Sequence, residues 1–498
     1  MNYILKGVRR MSKRNFSLPI KVVITLIIIS GVFVYGFGFA RYSWPPYDTA
    51  QNLYRTLTGS PTTRTPQHTL AKDEYIVYLT WTQNPAETMT IQWITKKTQE
   101  GNVLYRSIDQ EEWQSNAAEL INDMPGSEDI FIYWNTLENL LPDTVYEFKI
   151  EENPELYYFR TMPQEPTNLK LAFAGDSRDL VFKFEEITEK IGNYSPHLLV
   201  GKGDYVACEG IANPESTKKW LYFLKVLENN LVNGSGEMIP FILAMGNHEV
   251  ETGEQYGSPN IPEEAVYMWN LFKSPRKLPP LNKFYGALSF DDYFQLIILD
   301  SIHTAPIVGD QTDWLNSSIN SEMQHIIPVY HSAVFPSTKD FYSGWKIEIR
   351  ELWVPVFYEN NVQIVMEACD HNYKKTVPIA YARRLPNDVS NYAPLNDGYL
   401  FESSNGMVFY GDGGWGVEIR DIYNPKTTWY LEDAIGAQIK PGMKSMQQSR
   451  ADSHSDDGRK IENMENAYHF FGVELDGEII TVKSINYLGD IFREDIFY

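Results

Sequence analysis

The sequence predicts an α/β fold, a two-sheet sandwich flanked by helices, preceded by a small all-β sandwich and an N-terminal transmembrane helix. Three observations carry this. Five short apolar runs each stop at a polar cluster, alternating β-type segments fill residues 72–162, and residues 22–40 carry no charge. The runs are 169–175 ahead of Asp176, 198–200 ahead of Gly203-Asp204, and 241–245 ahead of Gly246-Asn247-His248-Glu249. The last two are 326–329 ahead of His331 and 362–366 ahead of Cys369-Asp370-His371-Asn372-Tyr373. A short apolar run that breaks into polar residues reads as a buried strand emptying into a loop. In open α/β sheets ligands bind just beyond the carboxyl ends of the strands. These five ends gather oxygen and imidazole donors, a mix that suits one or two divalent or trivalent transition ions.

From the N-terminus, Lys6, Arg9, Arg10, Lys13, Arg14 and Lys21 precede the uncharged stretch 22–40. Nineteen such residues sit at the lower edge of what spans a bilayer core of about 30 Å. Basic residues on the leading flank place that end in the cytoplasm and everything after Arg41 outside. The long basic segment favours a retained anchor over a cleaved signal, although Gly38-Phe39-Ala40 is similar to a cleavage site. Residues 1–41 are therefore expected to be a cytoplasmic basic segment and anchor, and 42–71, rich in Pro, Thr and Ser, a stalk.

Residues 72–162 alternate β-branched and aromatic positions between Gly, Pro, Asn and Asp, the pattern of a small β-sandwich. Asp143-Thr144-Val145-Tyr146 leads into a strand as a tyrosine corner does. After the linker 163–167, strands alternate with helical periods. Residues 179–194 show Val181, Phe184, Ile187 and Ile191; 216–232 show Trp220, Leu224, Leu227 and Leu231, with Ser216 placed as the N-cap. Further strand-like segments reach to residue 486, so the region 168–498 is expected to hold two sheets. Residues 443–459 are polar and aperiodic and read as a loop.

Composition narrows the partners. The 498 residues, 43% hydrophobic and 14% aromatic, supply large cores for two or three domains. A formal charge of −22 argues against nucleic acid as a partner, which demands a basic footprint. It does not exclude a phosphate-bearing substrate, because bound metal ions reverse the local field. The two cysteines, Cys208 and Cys369, make no disulfide framework.

Taken together, Gly175-Asp176, Gly203-Asp204, Gly246-Asn247-His248-Glu249, His331 and Asp370-His371-Asn372-Tyr373 resemble the calcineurin-like metallophosphoesterases. They look most like the purple acid phosphatases with an N-terminal fibronectin type III-like sandwich. Gly309-Asp310-Gln311-Thr312-Asp313-Trp314-Leu315, Gly413-Gly414-Trp415-Gly416 and the closing segment from His469 to Gly477 fit the same pattern. The resemblance covers residues 70 to 498 and implies a phosphate ester hydrolase holding two metal ions drawn from Fe, Zn or Mn. It implies that Asp204 bridges the ions, that Asp176 and His371 bind the first, and that Asn247 and His331 bind the second. Such a pair, roughly 3.5 Å apart, makes a hydroxide available near neutrality for in-line attack on phosphorus. His248 is the implied general acid for the leaving alcohol.

Three departures from the family pattern stand out. Ala207 occupies the place of an iron-binding tyrosine, so no intense visible colour is expected. Asp176-Ser177-Arg178 replaces a glycine with Arg178, which either points at the substrate phosphate or stands in for the charge of a weakly held ion. Cys369 replaces a histidine ligand of the second ion. It is a thiolate ligand, a relic of a lost site, or the partner of Cys208 in a disulfide. His197, His303, His325, His454 and His469 match no family position, and His303 alone lies near a strand end of interest. Phosphomonoester hydrolysis is the expected activity. A phosphodiesterase or nucleotide-cleaving variant and a catalytically weakened binding ectodomain are the alternatives. Substrate choice is expected to rest on loops such as 251–262 and 335–345.

Overall fold

The computed structural model describes residues 66–98, 101–178, 183–208, 210–250, 265–273, 283–339, 341, 343–381, 399–401, 405–411, 413–424, 426, 428, 430–440 and 464–498. The anchor expected at 22–40, most of the stalk, the loops 251–262 and 443–459, and His454 lie outside the described residues. Among the described residues no helix is long and apolar enough to cross a membrane.

The alternating segment folds into eight strands: β1 (Tyr75–Thr80), β2 (Met89–Thr95), β3 (Val103–Ser107), β4 (Gln114–Asn116), β5 (Glu119–Asp123), β6 (Phe131–Leu137), β7 (Val145–Ile150) and β8 (Tyr157–Arg160). They pair antiparallel as β1-β2-β6-β5 and β4-β3-β7-β8. Val77, Leu79, Ile91, Trp93, Phe148 and Phe159 are buried in one apolar cluster. The Tyr146 hydroxyl accepts the Leu141 N–H at 2.8 Å, the bond expected of a tyrosine corner.

β1 and β2 are buried on both faces, which a free sandwich would not need. Their second face, with Ile76, Tyr78 and Ile94, joins an apolar cluster with Trp220, Leu221 and Phe272 of the following region. Polar bonds fix that junction. Val77 N–H donates to Glu228 at 2.7 Å, and both the Tyr78 hydroxyl and Gln92 Nε2 donate to the Leu271 carbonyl.

Beyond the linker come β9 (Asn168–Ala174), α1 (Phe184–Tyr194), β10 (Leu198–Gly201), α2 (Pro214–Asn230), β11 (Phe241–Leu243) and α3 (Val266–Leu271). Next are β12 (Gly286–Phe290), β13 (Phe294–Ile298), α4 (Asp310–Ser318), β14 (His325–Ser332), α5 (Gly344–Leu352), α6 (Val354–Glu359), β15 (Ile364–Ala368) and β16 (Tyr373–Thr376). The chain then forms β17 (Ile379–Tyr381), β18 (Tyr399–Phe401), β19 (Val408–Gly411), β20 (Ile422–Tyr423), β21 (Leu431–Ile435) and β22 (Ile439–Lys440), and ends with β23 (His469–Asp476), β24 (Ile479–Asn486) and β25 (Ile491–Phe497). A six-stranded sheet runs β11-β10-β9-β23-β24-β25 and a seven-stranded sheet runs β12-β13-β14-β15-β19-β16-β21. The strands that carry the sequence motifs are parallel: β9, β10 and β11 in one sheet, β13, β14, β15 and β19 in the other. Leu171, Phe173 and Val200 from the first sheet share an apolar cluster with Ile298, Val329 and Met366 from the second. Two sheets thus bury one interior, as the period pattern required.

One helix start differs from expectation. Asn213, not Ser216, caps α2, its side chain accepting the N–H of Glu215 and Ser216 at 2.9 Å each. Pro214 explains the shift, because a proline with its fixed φ is well suited to the first helical position and lengthens the helix backwards.

Candidate metal centre

Each motif sits where its parallel strand ends, and the backbone there turns out of the extended conformation. Asp176, Asp204, Cys369 and His371 all have positive φ, at 61°, 58°, 83° and 57°. Non-glycine residues adopt this region at a cost, and they keep it only where the surroundings hold them. Asp176 is held from two sides. Its N–H donates to the Gly203 carbonyl at 3.0 Å, and its Oδ2 accepts the Cys369 N–H at 2.8 Å. The turn around Gly413 closes behind it: a Cβ there would lie 1.7 Å from Asp176 Oδ2, so only glycine fits.

Asp204 is fixed by Glu249. The Glu249 carboxylate accepts the N–H of Asp204 and Gly246 on one oxygen, both at 2.9 Å, and that of Tyr205 on the other at 2.7 Å. Glu249 therefore ties the β10 loop to the β11 loop, and burial together with Asp204 pushes its carboxyl up to about 7. Asp204 Oδ1 in turn accepts the His248 N–H at 2.9 Å.

The donor atoms converge. Ligand atoms of Asp176, Asp204 and His331 all lie within 4.8 Å of one another, and all three residues are buried. His331 Nε2 stands 3.3 Å from both Asp204 Oδ1 and Asn247 Oδ1. His331 Nδ1 faces the Lys202 carbonyl at 2.9 Å, an acceptor, so Nδ1 carries the proton and a neutral ring offers Nε2 as a lone pair. His371 Nε2 approaches Asp176 Oδ1 at 3.3 Å, yet that oxygen is buried with no hydrogen-bonding partner in good geometry. Lone pairs aimed at a common point rather than at each other are the arrangement of ligands around a cation.

Electrostatics agree. Burial alone would raise the Asp204 carboxyl, but His331 and His248 hold it well below its usual range. Asp176 is likewise lowered against its burial, by His371 and His331. Two ionised carboxylates in an enclosed site call for positive charge beside them. His331 supplies it as a proton: against burial, Asp204 and Cys369 hold its ring well above the ordinary value. A metal ion would displace that proton.

His248 lies at the rim. Its Nε2 accepts from Arg178 Nη1 at 2.5 Å and stays 3.9 Å from Asp204 Oδ2. The Arg178 guanidinium therefore lies beside this ring, within reach of the site. The two cysteines do not pair. Trp220 Nε1 donates to Cys208 Sγ at 3.3 Å and Lys339 Nζ to Cys369 Sγ at 2.6 Å, and neither cysteine is in a disulfide. The disulfide reading of Cys369 is thereby corrected. Ala207, exposed in part, offers no ligand, and neighbouring Tyr205 cannot replace the missing phenol. Its hydroxyl donates to the Ala244 carbonyl and accepts the Gly203 N–H, both away from the donor cluster.

Some residues escaped sequence reasoning. Glu249 was visible only as the last letter of its block. Lys339 and Arg420, whose Nη1 donates to the Cys369 carbonyl at 3.2 Å, carried no sequence signal at all. Of the histidines without a family place, His303 stacks edge-on against His331 at 5.5 Å and is held by Ser301. His197, His325 and His469 bond backbone groups away from the site. The Gln311 amide braces the Asp300 turn that carries His303, its Oε1 accepting Asp300 N–H at 2.8 Å.

Comparison with known proteins gives the same picture. Residues 75–161 match the purple acid phosphatase N-terminal domain, and residues 169–368 match the calcineurin-like phosphoesterase domain. Two uncharacterized proteins of Mycobacterium tuberculosis, MT2654 and Rv2577, are each 23% identical over 320 residues, 56% of this chain and 57% of theirs. The chain thus spans little more than half the length of these curated relatives. The chain carries a purple acid phosphatase N-terminal domain followed by a calcineurin-like phosphoesterase domain, whose strand ends gather a buried Asp-Asp-His cluster.

Proposed function

We propose that the protein hydrolyses phosphate monoesters with two metal ions at this centre. The observation that carries the reading is the convergence of Asp176, Asp204, Asn247 and His331 on one buried point, with the Arg178 guanidinium beside it. Asp204, whose carboxylate has two oxygens and lies in one cluster with Asp176 and His331, is the residue suited to lie between two ions. Asp176 and His371 would hold the first, and Asn247, His331 and Cys369 the second. When bound, such ions lower the pKa of water and neutralise charge developing on phosphoryl oxygens.

The chain's own residues do the rest. Arg178 supplies a planar, permanently charged donor for phosphoryl oxygens, and a dianionic monoester draws it more strongly than a monoanionic diester. In the arrangement described, Arg178 donates to His248 Nε2, so that nitrogen is an acceptor there. Substrate phosphate competes for the guanidinium and frees Nε2. Once freed, Nε2 can take a proton from water and deliver it to the leaving oxygen. Glu249 keeps Asp204 and His248 in register throughout. The basic N-terminus and its uncharged stretch support an outward-facing, membrane-anchored arrangement.

The test is turnover of an aryl monoester against the matching diester, with Arg178→Ala alongside. We expect the monoester to be preferred, and the variant to raise KM and the inhibition constant of inorganic phosphate by about 10–100-fold, the loss of a charge-assisted bond pair. A diester preference, or unchanged phosphate inhibition, would count against the reading.

A further inference from the structure

The turn that follows β13 fixes one imidazole with more bonds than a surface loop needs. Asp300, fully buried, accepts the His303 N–H at 2.7 Å and the Thr304 N–H at 2.8 Å, and the Thr304 hydroxyl donates to it as well. Gln311 of α4 clasps the same turn, accepting the Asp300 N–H at 2.8 Å and donating to the Asp300 carbonyl at 2.9 Å. Between Asp300 and His303 the chain puts Ile302 at φ 81°. A β-branched residue takes that conformation at a cost and keeps it only where its surroundings fix it, which is a mark of functional turns.

What the turn delivers is His303. Its ring is 7% exposed and meets the His331 ring edge-on, with 5.5 Å between centroids. His331 Nε2 in turn stands 3.3 Å from Asp204 Oδ1 and Asn247 Oδ1, so His303 lies one ring away from the donor cluster. Its two nitrogens are not alike. Nε2 faces Ser301 Oγ at 3.2 Å and Ser332 Oγ at 3.5 Å. Ser301 is buried, and its Oγ already accepts the Ser332 N–H at 2.9 Å. Among the described residues the Ser301 hydroxyl hydrogen has one bonded acceptor, His303 Nε2, and buried hydroxyls make their bonds. A neutral ring whose Nε2 accepts carries its proton on Nδ1. That Nδ1–H bonds none of the described residues. A donor held by so many bonds, and left without a partner beside the centre, is open to an acceptor from outside the chain.

We propose that His303 is a substrate-binding residue: its Nδ1–H donates to an oxygen of the phosphoryl group bound at the metal centre. This rests on the phosphoesterase reading given above. A phosphoryl oxygen suits the position because it is anionic and accepts, and hydrogen bonds to ionised acceptors are the strong ones. Arg178 stands at His248 and His303 at His331, so the two donors reach the centre from different loops. Ser301 acts through His303, as the residue that fixes its tautomer.

Inhibition of aryl phosphate turnover by inorganic phosphate, measured with metal content on the metal-loaded full-length protein, tests this. His303→Phe keeps a ring against His331 but has no donor. It should raise the phosphate inhibition constant by about 10–100-fold with metal content unchanged, the loss of one hydrogen bond to a charged oxygen. His303→Asn puts an amide N–H near the Nδ1 position and should recover most of that loss. An unchanged constant in His303→Phe overturns the proposal, as do equal losses in the two variants. Loss of metal also overturns it, since His303 would then be a support of His331. Should the variants fail to fold, the zinc-loaded unmodified protein decides. Phosphate should bring a new, slowly exchanging Nδ1–H signal into its imidazole proton spectrum, and the absence of that signal overturns the proposal. Unmodified protein that neither turns over the ester nor binds phosphate overturns the phosphoesterase reading itself, and is a distinct outcome.

Discussion

At the residue scale, the centre turns on what each donor atom can do that its neighbours cannot. Asp204 has Oδ1 at 3.3 Å from His331 and Oδ2 at 3.9 Å from His248, and is held ionised against its burial by these two residues. Asp204→Asn should remove at least one metal equivalent and nearly all hydrolysis, because an amide cannot carry the charge two cations share. Metal analysis of the purified variant checks it, and full metal content would contradict the assignment. His248 is a different case. His248→Ala should keep metal but slow esters with poor leaving groups by about 10²–10⁴-fold, the usual range for a general acid. Activated aryl esters need little protonation and should suffer less. Equal losses on both ester types would remove the role. The proposed ligands Asp176, Asp204, Asn247 and His331 were legible in sequence because an apolar run ends within a few residues before each one. Lys339 was not, because its ammonium reaches Cys369 across 30 residues and nothing local marks it.

At the scale of elements, strand ends and the loops after them bear the function, and one carboxylate joins two of those loops. Glu249 accepts three backbone N–H groups from the β10 and β11 loops. Glu249→Gln puts an amide NH₂ where an acceptor is needed, at about 1–3 kcal/mol for the unsatisfied donors. Both metal affinity and thermal stability should fall, whereas a variant that bound metal unchanged would show that the clamp does not matter to the centre. Strands with buried alternating or continuous apolar residues were readable from the sequence, with ends displaced by up to three residues, as at β6 and β14. β4 and β5 were not, because Gln114-Ser115-Asn116 is polar and largely exposed and gives no period. The N-cap of α2 was misplaced because Asn213-Pro214 outcompetes the later serine, an effect of proline geometry rather than of apolar spacing.

At the scale of the whole molecule, the sandwich and the two-sheet region are joined by a buried seam of Tyr78, Gln92, Leu271 and Phe272. We expect Gln92→Leu, which takes away the acceptor of the Lys273 N–H and leaves the Leu271 carbonyl with Tyr78 as its side-chain donor, to destabilise the protein by about 1–3 kcal/mol. Urea unfolding should show this in a single transition shared by both parts. Separate transitions would mean that the seam contributes little. Acid should unfold the metal-free protein from the same cause that keeps its interior dry. Burial holds His303 and His469 neutral, each lowered to about 3. Between that value and 6.5 the unfolded chain binds protons that the folded one refuses, so stability falls as pH drops through this window. Asp300, raised to about 6 by burial, works the other way, its stabilising share being lost as pH rises from 3.8. His469→Gln removes one of these two proton uptakes and leaves the carboxyls in place, so it should lower the acid midpoint measured by circular dichroism.

The central claim is that hydrolysis of a phosphate ester depends on ions held by Asp176, Asp204 and His331. The direct measurement is metal content and aryl phosphate turnover on one preparation, before chelation, after chelation, and after reloading with zinc or manganese. The account predicts that turnover vanishes with the metal and returns with it, and that Asp204→Asn recovers neither. Full turnover in chelated protein, or none in a metal-replete one, would contradict it.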